Sequence, residues 1–144
     1  MESVKNKNKI IMWLALIGAF LTVLDTGILY TGTVKLSLDL SLSASQLSWV
    51  QLSYVLTYAG FMLLGGKLGD VYGRKKLFIL SLLLFSLGSL SVGISTNASM
   101  IIISRTIQGI GAAILQPTCL ALITDTFKGE ELQKAIGYYA AVIG

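Results

Sequence analysis

Residues 66–94 read GKLGDVYGRKKLFILSLLLFSLGSLSVGI. A charged, glycine-marked turn, Asp70 to Lys76, opens directly onto an uncharged apolar run from Leu77 to Ile94. A run of this length matches a bilayer core, about 30 Å thick, crossed by about 20 helical residues rising about 1.5 Å each. It is too long for a strand and shows no period-2 alternation, as a barrel strand would. In lipid a helix satisfies its own backbone hydrogen bonds, so the run reads as a transmembrane helix.

The same pattern repeats on both sides. Upstream lies a second span, Leu47 to Gly66, and before it a polar stretch, Thr31 to Gln46. The alternation from Lys35 to Leu40 in that stretch reads as continuing the end of the first helix or capping the next. The first span runs from Ile10 to Tyr30, behind Lys5, Lys7 and Lys9, without the small-residue cleavage site of a signal peptide. Downstream, the turn Ser95 to Ser99 leads to a fourth span, Met100 to Thr124. A polar connection, Asp125 to Lys134, ends at a fifth apolar stretch, Ala135 to Gly144. The expected fold is therefore all-α and membrane-embedded: spans at 10–30, 47–66, 77–94 and 100–124, with the start of a fifth at 135–144.

Composition agrees. Of 144 residues, 54% are hydrophobic and 12% charged, with a mean hydropathy of +0.78. Soluble domains carry about 25% charge, and a globule this small still exposes about a third of its chain area. A soluble single domain is excluded. With no His and one Cys, Cys119, neither a disulfide framework nor a transition-metal site is expected. Cys119 reads as a small apolar filler. No nucleophile-base pair or phosphate loop is visible, so no enzyme and no cofactor is expected.

The basic residues fix the orientation. With the N-terminus inside, Lys5, Lys7, Lys9, Lys67, Arg74, Lys75, Lys76, Lys128 and Lys134 are cytoplasmic, Lys35 is outside and Arg105 lies within a span. These charges sit in topology-setting loops and form no continuous stripe, which excludes a nucleic-acid surface. Asn97-Ala98-Ser99 matches a glycosylation sequon and reads as a chance match in a short turn. Trp49 and Tyr54 read as interfacial anchors near the outer end of the second span.

Two charges lie within spans. Asp25 sits roughly 22 Å up the core and Arg105 roughly 8 Å below its outer boundary, which is the same depth. An intramembrane charge is costly and marks a pathway, a proton site or a partner. One reading is a fixed salt bridge that staples two helices; snorkelling is a second for Arg105. The sharper expectation is that Asp25 takes up and releases a proton, with Arg105 near it in one state and apart in another. Gly65, Gly69 and Gly73 share a face if the helix runs that far, and Gly109 and Ala113, beside Gly111, repeat the small-residue spacing that lets helices approach closely. Pro117, inside the fourth span, frees one backbone carbonyl.

The order Gly66-Lys-Leu-Gly69-Asp70-Val-Tyr-Gly73-Arg74-Lys75-Lys76, between the second and third spans, resembles the signature loop of the major facilitator superfamily, with Val71 where the family usually has a basic residue. Arg105-Thr-Ile-Gln108-Gly109-Ile-Gly111-Ala-Ala113 is similar to the family's fourth-helix motif, and Pro117-Thr118 to its continuation. Leu24-Asp25-Thr26 and Leu47 to Leu56 resemble the fourteen-helix drug:proton antiporter branch. Leu29-Tyr30-Thr31-Gly32 stands where that branch has an Asn and then Leu-Pro. The resemblance implies proton and substrate coupling at Asp25, Arg105 and Gln108. It implies a conformational relay at Gly66, Gly69, Asp70, Gly73 and Arg74, with Asp70 against the other half of the transporter and Arg74 against Asp125. Helix packing is expected at Gly109, Gly111, Ala113 and Pro117 from the small-residue spacing of the fourth span.

Such transporters rock two halves about a midplane site. The resemblance covers the whole chain and about the first third of the family fold. The chain is thus expected to be the N-terminal part of a proton-coupled efflux antiporter of the plasma membrane, inactive alone. Its partners are lipid, protons, a small-molecule substrate and a missing C-terminal portion. A truncated structural or regulatory membrane protein and a four-helix exporter acting as a dimer are the alternatives.

Overall fold

The computed structural model describes the backbone from residue 2 onward and the side chains from residue 6 onward, so Lys5 lies outside the described side chains. The described residues form five helices and no strand: α1 (Glu2–Asp39), α2 (Ala44–Tyr72), α3 (Arg74–Gly93), α4 (Ala98–Thr126) and α5 (Gly129–Ile143). α1 to α4 are each long and apolar enough to cross a membrane. Their outward faces carry large apolar side chains, among them Leu63, Leu80, Leu90 and Ile103, as a lipid-facing surface requires. This is a multi-pass, all-helical membrane protein.

Helix α1 is longer than its span. Its 38 residues rise about 57 Å, nearly twice the bilayer core. The polar stretch after Tyr30 stays helical because its hydroxyls bond back onto the helix: Thr33 to Leu29 O at 2.7 Å and Ser37 to Val34 O at 2.7 Å. Closure comes with Ser41 at φ 49° and the Leu42 N–H on Ser37 O at 3.0 Å, a Schellman-type stop. Ser43 then caps α2 reciprocally with Gln46, through Ser43 N–H to Oε1 at 2.9 Å and Gln46 N–H to Oγ at 3.2 Å.

The signature loop is shorter than the sequence suggests. The turn expected over Asp70–Lys76 contracts to Gly73 alone, with Asp70, Val71 and Tyr72 in α2 and Arg74 to Lys76 in α3. Gly73 has φ +87°, a conformation that a side chain would strain, and nothing else in the segment breaks a helix. Gly65 and Gly69 therefore share a buried face, whereas Gly73 is the corner and leaves that face. The connection expected over 125–134 contracts in the same way to Phe127 and Lys128. α5 begins at Gly129, six residues before the expected Ala135, with Glu130 and Glu131 in its first turn, where the helix dipole favours acids. Asn97 caps α4, its side chain accepting from Met100 N–H at 2.9 Å, so the sequon asparagine is used as a helix cap.

α4 is the central helix and packs on α1, α2, α3 and α5. Its close approaches run through glycine. A Cβ on Gly111 would lie 2.7 Å from Phe85 N on α3, and one on Gly109 would lie 2.6 Å from Tyr54 O on α2. Pro117 sits inside α4 and cannot donate to the carbonyl of Ala113; that carbonyl faces Gly65, where a Cβ would stand 2.5 Å away. Ala113 is fully buried. Toward the Gly73 end, Leu16, Phe78, Leu115, Cys119 and Tyr139 join α1, α3, α4 and α5 in one apolar cluster. Cys119 meets Gly18 there, as a small filler does.

Candidate functional site

The face of α4 carrying Arg105, Gln108, Ala112 and Gln116 repeats at helical spacing and points into the bundle, with Gln108 and Ala112 fully buried. α1 supplies Asp25 opposite Arg105. The Arg105 Nη1 donates to Asp25 Oδ2 at 2.7 Å and to Gln108 Oε1 at 2.8 Å. Gln108 Nε2 donates to the other carboxylate oxygen, Asp25 Oδ1. Ser89 of α3 reaches that same oxygen at 3.3 Å. Arg105 is 3% exposed and Asp25 17%. The two residues expected at one depth thus form one buried ion pair, which Gln108 spans. Gly88 makes room for it, since a Cβ there would stand 3.0 Å from Gln108 Cβ and N.

Tyr54 is not an interfacial anchor. Its ring is buried, and the Arg105 guanidinium carbon lies 4.2 Å from the ring centroid, a cation–π distance. The reason is helical phase: Tyr54 falls on the buried side of α2 with Val50 and Ser53, while Trp49 stays exposed. Arg105 Nε is buried with no hydrogen-bond partner among the described residues, so the ring face compensates charge that hydrogen bonds do not.

Two openings flank the pair. A cleft of about 340 Å³ between α1 and α3 is lined by Asp25, Ser86 and Ser89 among apolar side chains. On the other side a cavity of about 470 Å³ is lined by Thr22, Thr26, Tyr30, Tyr54, Tyr58 and Gln116. Tyr58 donates to Gln116 Oε1, Gln116 Nε2 donates to Thr22 Oγ1 at 3.0 Å, and the Tyr139 hydroxyl donates to Gln116 O at 3.1 Å. The sequence reading missed Ser89, Tyr58 and Gln116. For Gln116 the signal was present, as a second glutamine eight residues after Gln108 on the same face.

At the Gly73 end, Arg74 is a second hub. Its Nη1 lies 2.8 Å from Asp125 Oδ1 and donates to Ala121 O at 2.8 Å, while Nη2 lies 3.2 Å from Asp70 Oδ1. The pairing with Asp125 is the one the resemblance implied; Asp70, expected against another half, also faces Arg74 here. Gly69 lies against the Arg74 stem, with its Cγ 3.6 Å from a Cβ placed there, whereas Gly66 has no neighbour within 4 Å. Both acids are more than half exposed, so solvent screens the network. Arg74→Ala is expected to lower unfolding stability by less than about 1 kcal/mol, checked by denaturant titration in micelles.

Among the described residues no three His, Cys, Asp or Glu side chains group to hold a metal.

Residues 15–144 match the Major Facilitator Superfamily. The chain is 37% identical over 135 residues to the riboflavin transporter RibZ of Clostridioides difficile (strain 630), covering 94% of this chain and 30% of that protein. It is 36% identical over 129 residues to multidrug resistance protein 3 of Bacillus subtilis (strain 168), covering 90% and 25%. With the methylenomycin A resistance protein of the same organism it shares 32% over 143 residues, covering 99% and 31%. The chain therefore spans between a quarter and a third of the length of these relatives. With the match running from Ala15 to the last residue, this chain belongs to the Major Facilitator Superfamily.

Proposed function

We propose that the chain supplies the first helices of a proton-coupled antiporter that exports small amphipathic molecules across the plasma membrane, with its N-terminus in the cytoplasm. The Asp25–Arg105–Gln108 cluster carries this reading. It is an ion pair held inside a membrane helix bundle, with an opening on either side. Relatives named for riboflavin transport and for drug and antibiotic resistance support a small-molecule cargo. The basic residues gathered at the Gly73 end support the orientation.

The geometry supports a simple exchange. Both Asp25 oxygens are occupied by donors, from Arg105 on one side and from Gln108 and Ser89 on the other. Oδ1 accepts twice, from Gln108 and Ser89, whereas Oδ2 accepts once, so the open position for a proton is on Oδ2 beside the Arg105 bond. Neutral Asp25 holds Arg105 less firmly, and the guanidinium, with Nε already unpartnered, turns toward the cavity. Arg74, bridging the ends of α2 and α4, favours one conformation by contacts that the other lacks. Membrane, protons, substrate and a further C-terminal portion are the partners, and no step calls for a cofactor or enzyme chemistry.

The test is a chimera in which this chain replaces the matching segment of multidrug resistance protein 3 in proteoliposomes. Dye efflux driven by a pH gradient is expected from the chimera and not from the 144-residue chain alone. Asp25→Asn is expected to remove the gradient dependence; a chimera that keeps full proton-coupled efflux with Asn at this position would refute the role of Asp25. Gradient-driven efflux by the short chain alone would favour the dimeric exporter instead.

A further inference from the structure

The geometry points to a binding site for one anionic phospholipid in the groove between α1 and α3, at the Gly73 end of the bundle. Both helices flank α4, yet they are not among the helix pairs in close contact. A groove therefore runs between them, and at this end it holds a volume of about 570 Å³, in the range of ligand sites. Ile10 and Leu14, both exposed, line it from α1, the buried Phe78 from α3 and Leu122 from α4. The slot is apolar.

Its mouth carries charge of one sign. Lys7 of α1 and Lys75 of α3 line the groove beside the amide of Asn6, and none of the described residues lining it is acidic. Lys7 lies three residues before Ile10, where the first apolar run starts, and Lys75 two before Leu77, where the third starts. Both ammoniums thus stand about 3–5 Å outside the hydrocarbon, at the level of lipid headgroups.

Headgroup and groove have separate roles. An acyl chain gains little from apolar walls, because lipid surrounds it in either place, so the groove only seats it along Ile10 and Leu14. Selectivity comes from the phosphate, which each lysine near it favours by about fivefold. A zwitterionic headgroup brings a cation of its own, and the lining offers that cation no acid. Seated this way, the lipid joins the N-terminal turns of two helices that otherwise meet through α4. Lys76 supplies the contrast with diffuse attraction. It is as exposed as Lys75 and its neighbour in sequence, but it does not line the groove.

Binding needs neither a gradient nor a transported substrate, so its outcome is independent of the Asp25→Asn experiment. The 144-residue chain in neutral detergent is titrated with dioleoylphosphatidylglycerol, dioleoylphosphatidylcholine or inorganic phosphate, and bound molecules are counted by native mass spectrometry. One phosphatidylglycerol is expected to bind saturably, phosphatidylcholine about tenfold more weakly, and phosphate at the same concentration not at all. Lys7→Gln and Lys75→Gln should each weaken phosphatidylglycerol about fivefold, while Lys76→Gln leaves it unchanged. Leu14→Trp, which fills the slot and keeps both lysines, should weaken it by about tenfold or more. Equal affinity for the two lipids, or a loss in Lys76→Gln as large as in Lys7→Gln, would mean diffuse attraction and overturns the inference. Unchanged binding in Leu14→Trp overturns it too, by placing the lipid outside the groove. The chimera with multidrug resistance protein 3 is expected to retain the bound lipid; its loss there would mean that another helix of the transporter fills the groove, and refutes the site.

Discussion

Arg105→Met is expected to destabilise the bundle by about 3–5 kcal/mol, the cost of removing one partner from a buried ion pair. The methionine fills most of the space, so lost packing is small and what remains is a carboxylate without its countercharge, held only by Gln108 and Ser89. Asp25 is 17% exposed, so water reaches it and the loss falls toward the lower end of that range. Combining Arg105→Met with Asp25→Leu should recover most of the stability, since an apolar replacement of a whole buried pair is often neutral or better. A residue of about 1–3 kcal/mol should persist because Gln108, fully buried, then has no partner for its amide. Adding Gln108→Leu should remove it. Denaturant unfolding in mixed micelles, followed by helicity, measures all three variants against the unaltered chain. A double variant no more stable than the single would mean that the two residues are held by something other than each other.

That cycle also separates the two readings of the pair that the sequence left open. A staple that only joins α1 to α4 becomes dispensable once both residues are apolar, and transport by the chimera survives. A coupling site loses gradient-driven transport while the fold recovers. Stability and activity then move in opposite directions, which no purely structural role produces.

The fold was legible because each span is one long apolar run, and chain length against bilayer thickness leaves little choice. The ends were less legible. Local polarity suggested loops at Asp70–Lys76 and Asp125–Lys134, but polar residues near a membrane surface remain helical unless something breaks them. Only Gly73, and the Phe127–Lys128 pair before Gly129, do so. At the site, Asp25, Arg105 and Gln108 declare themselves because charge within lipid is costly. Tyr54, Tyr58, Ser89 and Gln116 do not: each is common in membrane helices, and its meaning depends on which face of which neighbour it meets. Tyr54 shows the limit. Its position near a span end suggested an anchor, and only the phase of α2 against α4 turns the ring beneath a guanidinium.

The same helix pair carries the second large effect. Gly65→Ala is expected to destabilise the bundle by at least about 1–3 kcal/mol, the usual cost of overpacking, whereas Gly66→Ala should be neutral or stabilising by up to about 1 kcal/mol through helix propensity. The two glycines are neighbours in sequence and identical in chemistry, so local propensity favours alanine at both. Their surroundings differ. A Cβ at 65 would lie 2.5 Å from Ala113 O and 2.9 Å from Ile114 Cα, all backbone, while one at 66 meets nothing within 4 Å. Backbone cannot rotate away as a side chain can, so α2 and α4 must part. The carbonyl that blocks position 65 is the one that Pro117 leaves without a helical donor, and against glycine it finds a close Cα–H neighbour. Parting the helices exposes it to lipid and adds to the cost. The separation is directly measurable as the distance between spin labels at the exposed residues Leu64 and Leu120, which should lengthen in Gly65→Ala and stay unchanged in Gly66→Ala. An unchanged distance together with unchanged stability in Gly65→Ala would show that α2 does not rest on the Pro117 turn of α4.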